Sequence, residues 1–209
     1  MDLIYQTHSP YARKTLVVAH ELGLKLEGAL QGRGAGEKSQ DVSLTMVDRM
    51  EIGGAFMNKQ QFASIALESF GDIEGKPITG IFGYEVFKRF VVRTDYQANQ
   101  ITLFEPDGFV YHGPGVRVPF QLKESIPTVA GDIDGVPGMF DLDTGSRSSI
   151  DLMAPFVAKN NLTARYQAKV QGVNGWGVGG PARSWIVRGH RLTLGGVWVD
   201  APVVGVTQA

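Results

Sequence analysis

The segment Met50-Glu51-Ile52-Gly53-Gly54-Ala55-Phe56 returns late in the chain as Leu192-Thr193-Leu194-Gly195-Gly196-Val197-Trp198. Each copy reads as an alternating strand, a Gly-Gly turn and a second apolar strand. A pattern that recurs at such a distance constrains the fold more than composition does, because repeated segments mark repeated structural units. Upstream of both copies lies a glycine-rich stretch, Gly32-Arg33-Gly34-Ala35-Gly36 in the first half and Gly172 to Gly180 in the second. A helix-like segment precedes each stretch. The heads of the two copies are Leu3-Ile4-Tyr5-Gln6-Thr7-His8-Ser9 and Phe140-Asp141-Leu142-Asp143-Thr144-Gly145-Ser146. The sequence therefore predicts two related lobes, residues 1–108 and 109–209, joined near the Pro- and Gly-rich stretch from Glu105 to Gly115. The competing reading makes that stretch an ordinary loop within one β domain.

The 27 glycines sit between short runs of β-branched and aromatic residues, the composition of strands joined by turns. Val91-Val92-Arg93-Thr94, Ile101-Thr102-Leu103-Phe104 and Val197-Trp198-Val199 are such runs. Helical patterning is confined to Ala12–Leu24, ending at Gly23, to Tyr84–Phe90 and to Met153–Asn160. The expected class is mostly β. Trp185 and Trp198 fall in strand patterns and are expected in the core.

Several function classes drop out on composition. A formal net charge of −1 favours neither a polyanion nor an anionic membrane as partner. The absence of cysteine removes disulfides, thiol catalysis and thiolate zinc sites. His8, His20, His112 and His190 are scattered, with no pair at metal-ligand spacing, so no metal site is expected. No apolar run is long enough for a signal peptide or a bilayer span. The compartment stays open: periplasmic or secreted with a leader, cytoplasmic without one.

Chemistry concentrates at Asp143-Thr144-Gly145-Ser146, which follows the alternating strand Met139-Phe140-Asp141-Leu142. An aspartate at a strand end, on a tight turn, can face a cleft. Glycine lets the backbone approach closely at that turn. The Thr144 hydroxyl is suited to bonding across to a partner lobe. The Ser146 hydroxyl is suited to donating to the carboxylate and fixing its charge state.

These four residues resemble the active-site loop of aspartic proteases, in particular the bacterial two-lobed, retropepsin-like and pepsin-like kind. Two further elements carry the resemblance. Gly80-Ile81-Phe82-Gly83-Tyr84-Glu85-Val86-Phe87-Lys88-Arg89-Phe90 is similar to the apolar-apolar-Gly strand and helix that close such a lobe, and the run from Val91 to Leu103 to its last hairpin. Val129-Ala130-Gly131-Asp132-Ile133-Asp134-Gly135-Val136 is similar to the hairpin that opens one. The resemblance implies two pseudo-symmetric β-barrel lobes with short helices and a peptide or protein substrate bound extended between them. It further implies two carboxylates that share a proton and activate water, with no metal or organic cofactor. The glycine-rich segments become flaps, with Gly34 in one and Gly175, Trp176 and Gly177 in the other.

The chain also departs from the family. Gln6-Thr7-His8-Ser9 stands where the family carries its first Asp-Thr-Gly, so the expected mechanism lacks one proton-transfer partner. The chain begins within the expected catalytic strand, so the opening hairpin of the first lobe is missing. It stops at Ala209, before any counterpart of Gly80–Phe90. Each lobe is thus expected to be incomplete at one end, which leaves strand edges that favour a homodimer. Two functions follow as expectations: an aspartic-type endopeptidase, with doubtful activity in this chain, or a non-catalytic peptide-binding pseudoprotease or adaptor.

Other motifs weigh less. Gly175-Trp176-Gly177-Val178-Gly179-Gly180 fits G-x-G-x-x-G, and Asp200 stands at the distance of a ribose acid, but Pro181 to Arg188 reads as extended where a dinucleotide site needs a helix. The Gly32–Gly36 stretch lacks the Lys and Ser/Thr of a phosphate loop. Asp132-Ile133-Asp134-Gly135 has the opening of a calcium loop without its later acidic ligands, and reads as a β-turn. His8 and Ser9 have neither an orienting acid nor an elbow motif for nucleophilic catalysis.

Overall fold

A computed structural model describes residues 2–4, 27–32, 40–65, 67–78, 80–177 and 179–207. The helix expected over Ala12–Leu24 lies outside the described residues. The chain is mostly β with a few short helices. The described residues up to His112 form one compact unit and those from Gly113 onward a second.

The first unit contains β1 (Asp2–Ile4), β2 (Glu27–Gly32), β3 (Gln40–Ile52) and β4 (Ala55–Ser64), then helices α1 (Glu68–Glu74) and α2 (Tyr84–Arg89), then β5 (Val91–Asp95) and β6 (Gln100–Phe104). Its strands form two antiparallel sheets, ordered β2-β3-β4 and β1-β6-β5. Gly53 and Gly54 make the β3–β4 turn at φ 55° and 88°, the left-handed pair that a two-residue hairpin of this twist requires. Alternation along β4 buries Ala55 and Met57, which meet Ile52, Val86, Phe90 and Leu103 in one core. Helix α2 carries Glu85 in its first turn and Lys88 and Arg89 in its last, matching the helix dipole, and buries Val86. The expected helix over Tyr84–Phe90 is thus present, with Phe90 as its C-cap. The strand expected just before it is not: Gly80 to Gly83 joins no sheet, and Gly83 serves as the helix N-cap.

The second unit runs β7 (Gln121–Lys123), β8 (Ile126–Ile133), β9 (Val136–Asp141), β10 (Ile150–Leu152), α3 (Ala154–Lys159), α4 (Leu162–Tyr166), β11 (Val170–Gly177), β12 (Gly180–Arg188), β13 (Arg191–Leu194), β14 (Val197–Asp200) and β15 (Val203–Thr207). One sheet has the order β14-β13-β8-β7, with β9 also paired to β8. The other has the order β10-β15-β12-β11, in which β10 and β15 are parallel. Ile150 and Leu152 alternate in register with Val204 and Val206, and all four are buried beside Ile133, Val157, Leu162 and Leu192. Complete burial of side chains such as Ile133 and Leu162 stabilises the unit by about 1.5–3 kcal/mol each.

Gly195 and Gly196 repeat the turn of Gly53 and Gly54, at φ 53° and 86°. The strands around the two turns differ. β3 pairs with β2 and β4, whereas β13 pairs with β14 and β8. Trp185 packs against the core as expected, but Trp198 does not: it lies on the edge strand β14 and is 61% exposed.

Gly131, midway along β8, faces Leu194 of β13 and Gly138 of β9 in register. A Cβ there would collide with the Thr193 carbonyl oxygen and the Leu194 side chain. The backbone oxygen belongs to a paired strand and cannot yield cheaply. Gly131→Ala is expected to lower stability by about 1–3 kcal/mol, read as a lower denaturant midpoint. An unchanged midpoint would show that β8 and β13 are not packed this tightly.

Candidate functional site

The β8–β9 hairpin delivers Asp143 to the end of a strand. Thr128 and Asp141 face each other in register, and the Thr128 hydroxyl donates to Asp141 Oδ1 at 2.9 Å. Pairing extends one step further, with the Leu142 N–H donating to the Pro127 carbonyl at 2.8 Å. The chain then turns. Asp143 Oδ1 accepts the Gly145 N–H at 2.7 Å, and the Asp143 carbonyl accepts the Ser146 N–H at 3.2 Å. A side chain on Gly145 would begin 3.2 Å from Asp143 Oδ1, a tight contact that the carboxylate would have to relieve by a few tenths of an ångström. Asp143, Thr144, Gly145 and Ser146 are all exposed. Among the described residues no donor reaches Asp143 Oδ2.

Ser146 does not donate to Asp143, contrary to the expectation from its type. Its Oγ lies 3.0 Å from Ser148 Oγ and 3.5 Å from the Ser148 carbonyl. The turn directs the Ser146 hydroxyl to Ser148 and away from the carboxylate.

The glycine-rich segment forms the β11–β12 hairpin. Gly177 pairs with Gly180, Trp176 with Pro181 and Gly175 with Ala182. Its register slips between Val173 and Gly175, which places a bulge at Asn174. Trp176 is 36% exposed near the tip. A strand, not a helix, follows the glycines, so the segment lacks the helix N-terminus on which a pyrophosphate would rest.

Two features escape reading from the sequence. Asp151, on β10, accepts the Ser148 hydroxyl through Oδ2 and the Asn174 amide through Oδ1. The Ser148–Asp151 spacing is a local signal, but Asn174 comes from a distant strand. The second feature is Asp134, at φ 53° in the β8–β9 turn beside Gly135 at φ 77°. Its Oδ1 accepts the backbone N–H of His190 at 2.8 Å and of Arg191 at 2.7 Å. Its Oδ2 accepts the Tyr166 hydroxyl at 2.8 Å, and its carbonyl accepts from Arg165 at 2.5 Å. Burial pushes this carboxyl up, but the Arg191 N–H, the Tyr166 hydroxyl and the His190 N–H outweigh it and hold the group below the ordinary carboxylate range. Tyr166 moves the opposite way: burial, then its bond to Asp134, raises the phenol. These contacts make Asp134 a clamp on the second unit, and the turn that contains it is the β-turn expected at Asp132–Gly135.

Gln6, Thr7, His8, Ser9 and Gly34 lie outside the described residues. Among the described residues no group of three or more His, Asp or Glu could hold a metal ion. No described helix is long and apolar enough to cross a membrane. No family model, curated protein or solved structure matches this chain.

Proposed function

We propose that the chain is an aspartic-type endopeptidase of the retropepsin-like kind, acting on peptide or protein substrates through Asp143. The observation that carries this reading is the geometry of the Asp143 turn. The carboxylate stands at the exposed end of a hairpin, one oxygen is fixed by the Gly145 N–H at 2.7 Å, and no described donor reaches the other. A carboxylate held this way can polarise a water molecule and take its proton while that water attacks a peptide carbonyl. A second carboxylic acid would protonate the carbonyl oxygen or the leaving amine. The β11–β12 hairpin supplies an extended backbone and an apolar Trp176 for a peptide to pair against. Two barrel-like lobes and a homodimer belong to the same proposal.

Gln6 favours a second reading, a peptide-binding protein without catalysis, because an amide cannot replace the first acid as a proton carrier.

The test is to incubate the chain with unfolded protein substrates from about pH 3 to pH 7 and identify cut sites by mass spectrometry. Cleavage that depends on Asp143 and rises at acidic pH is the expected result. Specific activity that increases with chain concentration would mark a pair of chains as the competent species. Saturable peptide binding without cleavage selects the second reading, and absence of both removes the peptide site altogether.

A further inference from the structure

Asp151 is not used by the reading above, yet its contacts reach from one half of the proposed site to the other. The bonds form a continuous path. The Ser146 N–H closes the turn on the Asp143 carbonyl at 3.2 Å, and Ser146 Oγ lies 3.0 Å from Ser148 Oγ. Ser148 donates to one Asp151 oxygen, and the Asn174 amide donates to the other. Asn174 is the bulged residue of β11, and a bulge re-aims a side chain away from its regular alternation.

The placement is unusual for a sheet. β10 and β11 stand at opposite ends of the order β10-β15-β12-β11, so their side chains meet only by crossing the sheet face. Gly205 makes room for the crossing. It is buried, sits opposite Asp151 in the parallel register, and any Cβ there would collide with both the Asp151 carboxylate and the Asn174 amide. Asp151, Asn174 and Ser148 are themselves half-buried, where water competes poorly for these groups and the bonds therefore hold.

We propose that Asp151 is a positioning residue that couples the Asp143 turn to the glycine-rich β11–β12 hairpin, so that ordering one orders the other. Its meaning for peptide recognition rests on the function proposed above: an extended peptide that docks on the hairpin stiffens the carboxylate turn through Ser148 and Asp151. The coupling itself is a property of the fold and can be measured without substrate.

Amide hydrogen exchange on the full chain tests it, residue by residue, for Asp151→Asn, Asn174→Asp, the double swap and Ser148→Ala. Asp151→Asn keeps one acceptor oxygen and turns the other into a donor, so it answers only one of Ser148 and Asn174, and Asn174→Asp opposes two carboxylates. Each is expected to raise exchange about tenfold both over residues 144–150 and over residues 172–182, while residues 129–133 of β8 keep their protection. The double swap restores a carboxylate–amide pair of opposite sense and is expected to return both segments to within about threefold of the parent. Ser148→Ala removes the link between the turn and Asp151 but keeps the Asn174–Asp151 bond, and is expected to loosen residues 144–150 more than residues 172–182. In the Asp151 and Asn174 variants, loosening of one segment alone, equal loosening along the whole chain, or no rescue by the swap would overturn the coupling. Asp143→Asn separates the two ideas, since it leaves this path intact. Peptide cleavage and binding that ignore Asp143 remove the functional reading and leave the exchange result to decide the coupling.

Discussion

Asp143→Asn is expected to reduce kcat/KM for peptide cleavage at acidic pH by about 10²–10⁴-fold, the usual contribution of a positioned acid or base. The substitution isolates charge from structure. An asparagine Oδ1 accepts the Gly145 N–H as the carboxylate does, so the turn is kept while the proton acceptor is lost. KM should therefore change little, because the loss falls on the transition state. Asp143→Ala, by contrast, also removes the acceptor for the Gly145 N–H and should loosen residues 144–146. Activity of the Asn variant within about threefold of the parent would take Asp143 out of the mechanism. If the parent binds peptide without cleaving it, the same variant should still bind, since an amide can hold the turn.

The largest effect on stability is expected at Asp134. One carboxylate there serves the backbone N–H groups of His190 and Arg191 and the Tyr166 hydroxyl, and it joins the β8–β9 turn to α4 and to the start of β13. Asp134→Ala removes the acceptor of all three donors, of which the Tyr166 hydroxyl is part-buried and the two backbone N–H groups exposed, and alanine tolerates the φ of 53° less well than aspartate does. Together these effects should cost about 3 kcal/mol. Asp134→Asn keeps acceptor oxygen and tolerance of the left-handed backbone, so its cost should be about 1 kcal/mol.

The pH dependence follows from the lowered carboxyl. A carboxylate depressed in the folded state contributes stability above its unfolded value, near pH 4, and loses it as pH falls through the lower folded value. The gap between the parent and Asp134→Asn in chemical unfolding should therefore be full at neutral pH and narrow below about pH 4. A gap that widens on acidification would mean that the Asp134 carboxylate is not what these donors hold.

Strand class and turn chemistry were legible in the sequence because they depend on near neighbours. The Gly53-Gly54, Gly195-Gly196 and Asp134-Gly135 pairs adopt positive φ, as two-residue hairpins of this twist demand. The helices at Tyr84–Arg89 and Ala154–Lys159 follow from local patterning, with Pro155 in the first turn of the second. The Asp143 turn was legible for the same reason, since its closing bond spans two residues.

What only the tertiary structure decided are the contacts between segments far apart in sequence. Trp198 looks like a core residue in its strand pattern, but alternation cannot tell an edge strand from a central one, and β14 is an edge. Gly80 to Gly83 has apolar content suited to a strand and finds no strand partner, because pairing is a property of two segments and not of one. Ser146 meets Ser148 and not Asp143, because the turn sets where its hydroxyl reaches. Asp151 and Asp134 stayed hidden for the same reason. Their donors at Asn174, His190 and Arg191 lie far along the chain, and only the folded sheets bring those groups within hydrogen-bond reach. The sequence by itself thus determined a β-rich chain with a carboxylate on a glycine-closed turn. Tertiary pairing decided which strands flank that turn and which polar groups tie it down.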